Sequence, residues 1–121
     1  MADLDAVDAA LARGNDAYEA DDLDGAVLAY EQAVRALGPA DDARAADAFE
    51  NLGIARWRLG QWRPAARAFL RALDGDLGAR EQSLRLLVGC MFRDGLPLDG
   101  ERLLAAYEGR YGGHPEGWRR S

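Results

Sequence analysis

Apolar residues recur along this chain at the three- and four-residue spacings of a helix, interrupted by Gly, Pro and Asp, and no stretch alternates with the period of two that a half-buried strand needs. Asp3 or Asp5 caps a first helix predicted to reach about Ala20, with Leu4, Val7, Ala10, Leu11 and Ala17 on one face and Asp8, Asp16 and Glu19 on the other. The Asp21 and Asp22 pair breaks it. Asp22 then caps a second helix over about 23–37, closed by Gly38 and Pro39. A third helix opens at Pro39 or at Asp41 and Asp42 and runs to about Leu59, with Ala45, Ala48, Phe49, Leu52 and Ala55 inward, until Gly60 ends it. The fourth starts near Trp62 and ends at Leu73 or Asp74; Pro64 falls in its first turn, where no intrahelical bond is lost. A fifth, over about 79–94, carries Leu84, Leu87, Val88, Met91 and Phe92, and a sixth, from about Pro97 or Asp99, carries Leu103, Leu104, Tyr107 and Tyr111. The expected class is all-α, with about six helices in antiparallel pairs joined by short loops.

The stretch from Asn51 to Leu73 holds one whole helical hairpin. Small residues (Gly53, Ala65, Ala72) stand where two helices approach, and Leu52, Leu59, Trp62 and Phe69 fill the space around them. Sliding the chain by 39 residues pairs Gly14 with Gly53, Tyr18 with Trp57, Leu23 with Trp62, Ala26 with Ala65, Tyr30 with Phe69 and Ala33 with Ala72. This order of Gly, aromatic, Ala, aromatic and Ala resembles the tetratricopeptide repeat, whose usual period is about 34 residues. The longer offset is assigned to an extended start of the third helix at Ala40–Arg44. An offset of 35 brings Trp57 onto Phe92, Arg58 onto Arg93 and Gly60 onto Gly95, while Gly53 becomes Val88 and Ala65 becomes Gly100, so the third unit is a degenerate repeat or a capping pair. The resemblance covers residues 7–74 and, with those departures, 79–111. It implies a repeat domain over 1–111 with a tail over 112–121, stacked as a right-handed superhelix of three hairpins whose first helices line a concave groove.

The same resemblance implies which residues face that groove: Asn15, Tyr18 and Glu19 from the first hairpin, Asn51, Ile54, Trp57 and Arg58 from the second, and Arg85, Phe92 and Arg93 from the third. Tyr18, Trp57 and Phe92 form either an exposed stripe for the apolar anchors of a peptide, with Arg58 and Arg93 pairing its carboxylates, or interhelical packing. Some relatives of that family carry a clamp for an acidic C-terminus. Asn15 and Asn51 match its two Asn positions, but its basic positions fall on Leu11, Gln82 and Leu86, which removes the electrostatic part.

Charge adds an asymmetry. Residues 1–50 hold thirteen acids against three Arg, a balance of −10, and residues 51–121 hold eight against twelve, a balance of +4. Such bipolarity suits head-to-tail or antiparallel pairing, and the sixth helix with Leu103, Leu104, Tyr107 and Tyr111 lacks a polar capping helix, so a homodimer through the terminal helices is the alternative to peptide binding. Arg63, Arg67 and Arg71 share one helical face, yet an acidic first half argues against nucleic acid as the partner. No apolar run is long enough for a membrane span and the first residues lack the features of a signal peptide, so a cytoplasmic location and no membrane partner are expected. A single Cys90 and a single His114 exclude an internal disulfide and leave too few ligands for a structural zinc site. Cys90 stands in an apolar helix and reads as core; His114 stands in a Gly- and Pro-rich tail. No catalytic, phosphate-binding or metal motif occurs, and the expectation is a non-enzymatic protein-binding scaffold without a cofactor.

Overall fold

The computed structural model describes residues 4–37, 43–73 and 80–93, without the side chains of Ala43, Met91 and Phe92. These segments form five α-helices: α1 (Leu4–Glu19), α2 (Leu23–Leu37), α3 (Ala43–Arg58), α4 (Trp62–Leu73) and α5 (Glu81–Arg93). The described residues are therefore all-α as the apolar spacing predicts, and α2 and α4 take the predicted bounds. The predicted sixth helix and the tail over 112–121 lie outside the described residues.

Two turns of identical design set the hairpins. At the end of α1 the amide of Asp21 donates to the Tyr18 carbonyl at 3.0 Å and that of Asp22 to the Ala17 carbonyl at 2.8 Å. At the end of α3 the amides of Gly60 and Gln61 donate to the carbonyls of Trp57 and Arg56, both at 3.0 Å. This paired pattern satisfies the last carbonyls of a helix and needs a left-handed residue just beyond it. Asp21 (φ 62°) and Gly60 (φ 76°) supply that residue, at positions related by the 39-residue offset. Asp tolerates the conformation better than most residues because its short polar side chain bonds locally. Asp22 also starts the next helix, its Oδ1 accepting from the Gly25 amide at 3.0 Å, so that one residue closes α1 and caps α2. Connections this short force each pair to run antiparallel.

Packing follows the chain. α2 lies against α1 and α3, and α4 against α3 and α5, while α3 also touches α5. The odd-numbered helices thus form one layer and the even-numbered helices the other. Val7 and Ala10 of α1 meet Ala33 and Leu37 of α2 and Ala48 of α3. Ala26 and Tyr30 of α2 meet Leu52 and Ala55 of α3 and Ala68 of α4. Ala65, Ala66, Phe69 and Leu73 of α4 meet Leu84, Leu87, Val88 and Cys90 of α5. So many alanines at the contacts let the helix axes come close, and a single large ring per hairpin fills the gap that remains. A Cβ added at Gly14 would strike the Tyr30 ring, and one added at Gly53 would stand 2.6 Å from the Phe69 ring. The repeat spacing of glycine and aromatic is therefore a physical contact, ring against bare backbone, in both hairpins.

Ion pairs join the odd layer from the side. Arg44 reaches Asp8 at 3.0 Å, linking α3 to α1, and Arg80, just ahead of α5, reaches Asp47 at 2.6 Å and Glu50 at 3.2 Å on α3. Arg56 pairs with Glu31 at 3.0 Å and Arg58 with Asp21 at 3.1 Å. Arg56, Arg58 and Arg80 belong to the basic half and their partners to the acidic half, so part of the bipolarity seen in the sequence is neutralised inside the chain.

Candidate functional site

The described part of the odd layer has a groove of about 270 Å³, lined by Asn15, Tyr18, Glu19, Tyr30, Asn51, Ile54 and Gln82. The local sequence explains why a groove forms here. Because position 14 has no side chain, the Tyr30 ring crosses over the α1 backbone and its hydroxyl emerges on the far side, where it donates to Asn15 Oδ1 at 2.7 Å. That bond fixes the Asn15 carboxamide with its NH2 group left to donate. Asn51 and Ile54 are half-buried one helical turn apart on α3. Gln82 is exposed on the first turn of α5. The floor is thus apolar with an aromatic edge, and the rim carries three carboxamides, each able to donate and to accept.

Tyr30 also has a perturbed ionisation. Burial raises its pKa above the ordinary 10.0, and the charges of Tyr18 and Glu19 raise it further. The folded state therefore favours the neutral phenol; its contribution is complete below the unfolded value of 10.0 and is lost as pH rises through the higher folded value. Tyr30→Phe is expected to flatten the alkaline loss of stability above pH ~10 and to cost about 1 kcal/mol at neutral pH through the bond to Asn15. Thermal melts of both proteins from neutral to alkaline pH check this.

Of the residues expected to face the groove, Asn15, Tyr18, Asn51 and Ile54 line it together with Glu19. Arg85 is half-buried on α5 and is not among the lining residues, and Trp57, Arg58 and Arg93 have contacts of their own. Trp57 is half-buried and packs against the cluster formed by α4 and α5, as does the inner part of Ile54. Arg58 is held over the Tyr18 ring at 5.2 Å and bonded to Asp21, and Arg93 lies over the Trp62 ring at 4.9 Å. Of the three rings expected in a stripe, Tyr18 stands at the groove and Trp57 is in packing, and the Phe92 side chain lies outside the described residues. Of the remaining clamp positions, Leu11 packs against the α1–α2–α3 clusters and Leu86 against the α4–α5 cluster. Cys90 is fully buried in that last cluster.

The periodicity of the chain assigned Tyr30 to packing alone, and its polar end was missed. A signal for it exists in the sequence. Asn15 and Tyr30 of the first unit become Ile54 and Phe69 in the second at the same 39-residue offset, so a hydrogen-bonded pair is exchanged as a pair for an apolar one.

No protein-family model matches the sequence, and no curated protein matches it. Functional inference therefore rests on the groove itself. Among the described residues no three of His, Cys, Asp and Glu stand together as metal ligands would. No described helix is long and apolar enough to cross a membrane.

Proposed function

We propose that this protein is a non-enzymatic binding module of the tetratricopeptide type, a right-handed stack of helical hairpins that holds an extended segment of a partner protein in the groove of its odd-numbered helices. The observation that carries the reading is the convergence of Asn15, Asn51 and Gln82 around Tyr18 and Ile54. An extended peptide presents backbone donors and acceptors at short intervals, and carboxamides answer both without demanding a particular sequence. Ile54 and the Tyr18 ring offer apolar surface for a side chain between them. Self-association, the second use the sequence suggests, has less support, because Arg56, Arg58 and Arg80 already pair within the chain. The exposed Leu28 and Leu70 are single residues on α2 and α4 of the kind any soluble surface carries.

Selection of peptides from a displayed random library on the immobilised full-length protein tests the proposal. Selected peptides are expected to lose about tenfold in affinity on Asn51→Ala/Gln82→Ala, the loss of roughly one good polar anchor. The melting temperature should hold, since both side chains are on the rim. Peptides that bind this double variant as tightly as the wild type would remove the groove from consideration.

A further inference from the structure

Resting on that reading, we infer that the segment held in the groove is basic, with an Arg or Lys side chain directed at Glu19. Charge at the groove wall sets the sign of the ligand. Among the described residues that line it Glu19 is the only charged one, and no described cation pairs with it. The cations that the repeat pattern places nearby do not reach it: Arg85, one turn beyond Gln82 on α5, is half-buried, has a partner of its own and is not among the lining residues, and three others are held by other groups. Arg58 is held by Asp21 and the Tyr18 ring, Arg93 lies over Trp62, and Arg13 donates to Gln32 at 3.3 Å.

Asp16 adds to the same sign. It is exposed on α1 and, three residues before Glu19, shares its helical face beside Asn15. The field of Glu19 already acts within the groove, because its charge is among the causes that raise the Tyr30 pKa, after burial and Tyr18. An acidic segment entering here would meet the like charge of Glu19, and the cation beside it, Arg58 over the Tyr18 ring, is already paired with Asp21, so little offsets the loss of its hydration. A basic one would add a charge-assisted bond to the backbone contacts from the carboxamides. The sign of the preferred ligand is thus opposite to that of a carboxylate clamp.

The experiment is the same library selection, run on the wild type and on Glu19→Arg at low salt, where a surface charge is least screened. Arg at the C-terminal end of α1 suits the helix dipole, so the variant keeps its fold. Wild type is expected to enrich peptides bearing Arg or Lys. For those peptides Glu19→Gln should weaken binding about threefold and Glu19→Arg about tenfold, the range for an exposed pair lost and then reversed. Enrichment of neutral or acidic peptides, or basic peptides indifferent to Glu19→Arg, would overturn the inference. If binding then still depended on Asn51 and Gln82, the groove would stand and only its charge preference would fall; if it did not, the groove reading itself would have failed. Concentration-dependent self-association that Glu19→Arg abolishes would assign the groove to a second copy of the chain and overturn a partner peptide.

Discussion

Phe69→Ala is expected to lower stability by about 4 kcal/mol, because it removes the largest fully buried side chain among the described residues, at the junction of three helices. Domains of this size have about 5–15 kcal/mol in total, so the variant is left close to its unfolding threshold. The ring rests on Gly53, and Gly53→Ala is the complementary test. Its new methyl carbon would stand 2.6 Å from a carbon of the fully buried Phe69 ring, so ring or helix must shift. Overpacking of this kind costs about 1–3 kcal/mol. The gain in helix propensity from Gly to Ala, about 1 kcal/mol, offsets part of it. The double variant Gly53→Ala/Phe69→Ala should be less destabilised than the sum of the two, since the added methyl then projects into vacated space. Gly89→Ala serves as the control, with no described atom within 4 Å of the added carbon, and should be neutral or stabilising. Denaturant melts of the four proteins measure the cycle; strict additivity would show that ring and glycine are not the coupled pair the hairpin needs.

That pair explains what could be read in advance. Helix bounds were legible because turns are local: Gly60 and the Asp21 and Asp22 pair stop and start helices through bonds to residues within one turn. The Gly and aromatic contacts were legible because a repeat states each of them twice, Gly14 with Tyr30 and Gly53 with Phe69. Five of the seven groove residues were legible for the same reason, Tyr30 and Gln82 being the exceptions. What the sequence could not resolve is where long side chains go. Arg58 and Trp57 are adjacent on α3, yet Arg58 returns to α1 and Trp57 turns toward the α4–α5 cluster. Helical spacing gives the direction of a Cβ atom, and the reach beyond it depends on whether an acid or a ring stands nearby in three dimensions. The contribution of Tyr30 was hidden by the reverse problem, since its ring spacing marks it as packing against Gly14 and only the paired exchange with Asn15 points to its hydroxyl.

Glu50→Ala is expected to cost about 2–3 kcal/mol and to weaken peptide binding although Glu50 does not line the groove. The Glu50 carboxylate accepts from the fully buried Ser83 hydroxyl at 2.5 Å and from Arg80 at 3.2 Å. Removing it leaves a buried donor with no acceptor. The figure stays below that for a fully buried pair because the Arg80 side chain retains 26% exposure and keeps Asp47. Ser83→Ala removes the donor together with the need for it and should cost about 1 kcal/mol. Glu50→Gln keeps an acceptor for Ser83 and loses the charge for Arg80, so it falls between. The effect on binding follows from sequence neighbours. Glu50 precedes Asn51 on α3 and Ser83 follows Gln82 on α5, so the bond between the inner residues fixes the register that sets the two outer carboxamides on one groove. Hydrogen exchange should therefore accelerate in α5 of Glu50→Ala while α1 and α2 keep their protection, because their contacts do not involve this bond. Peptide affinity should fall with Glu50→Ala and hold with Glu50→Gln. Equal binding by all three proteins, with α5 loosened, would mean that Gln82 is not needed and that the ligand is held by α1 and α3 alone.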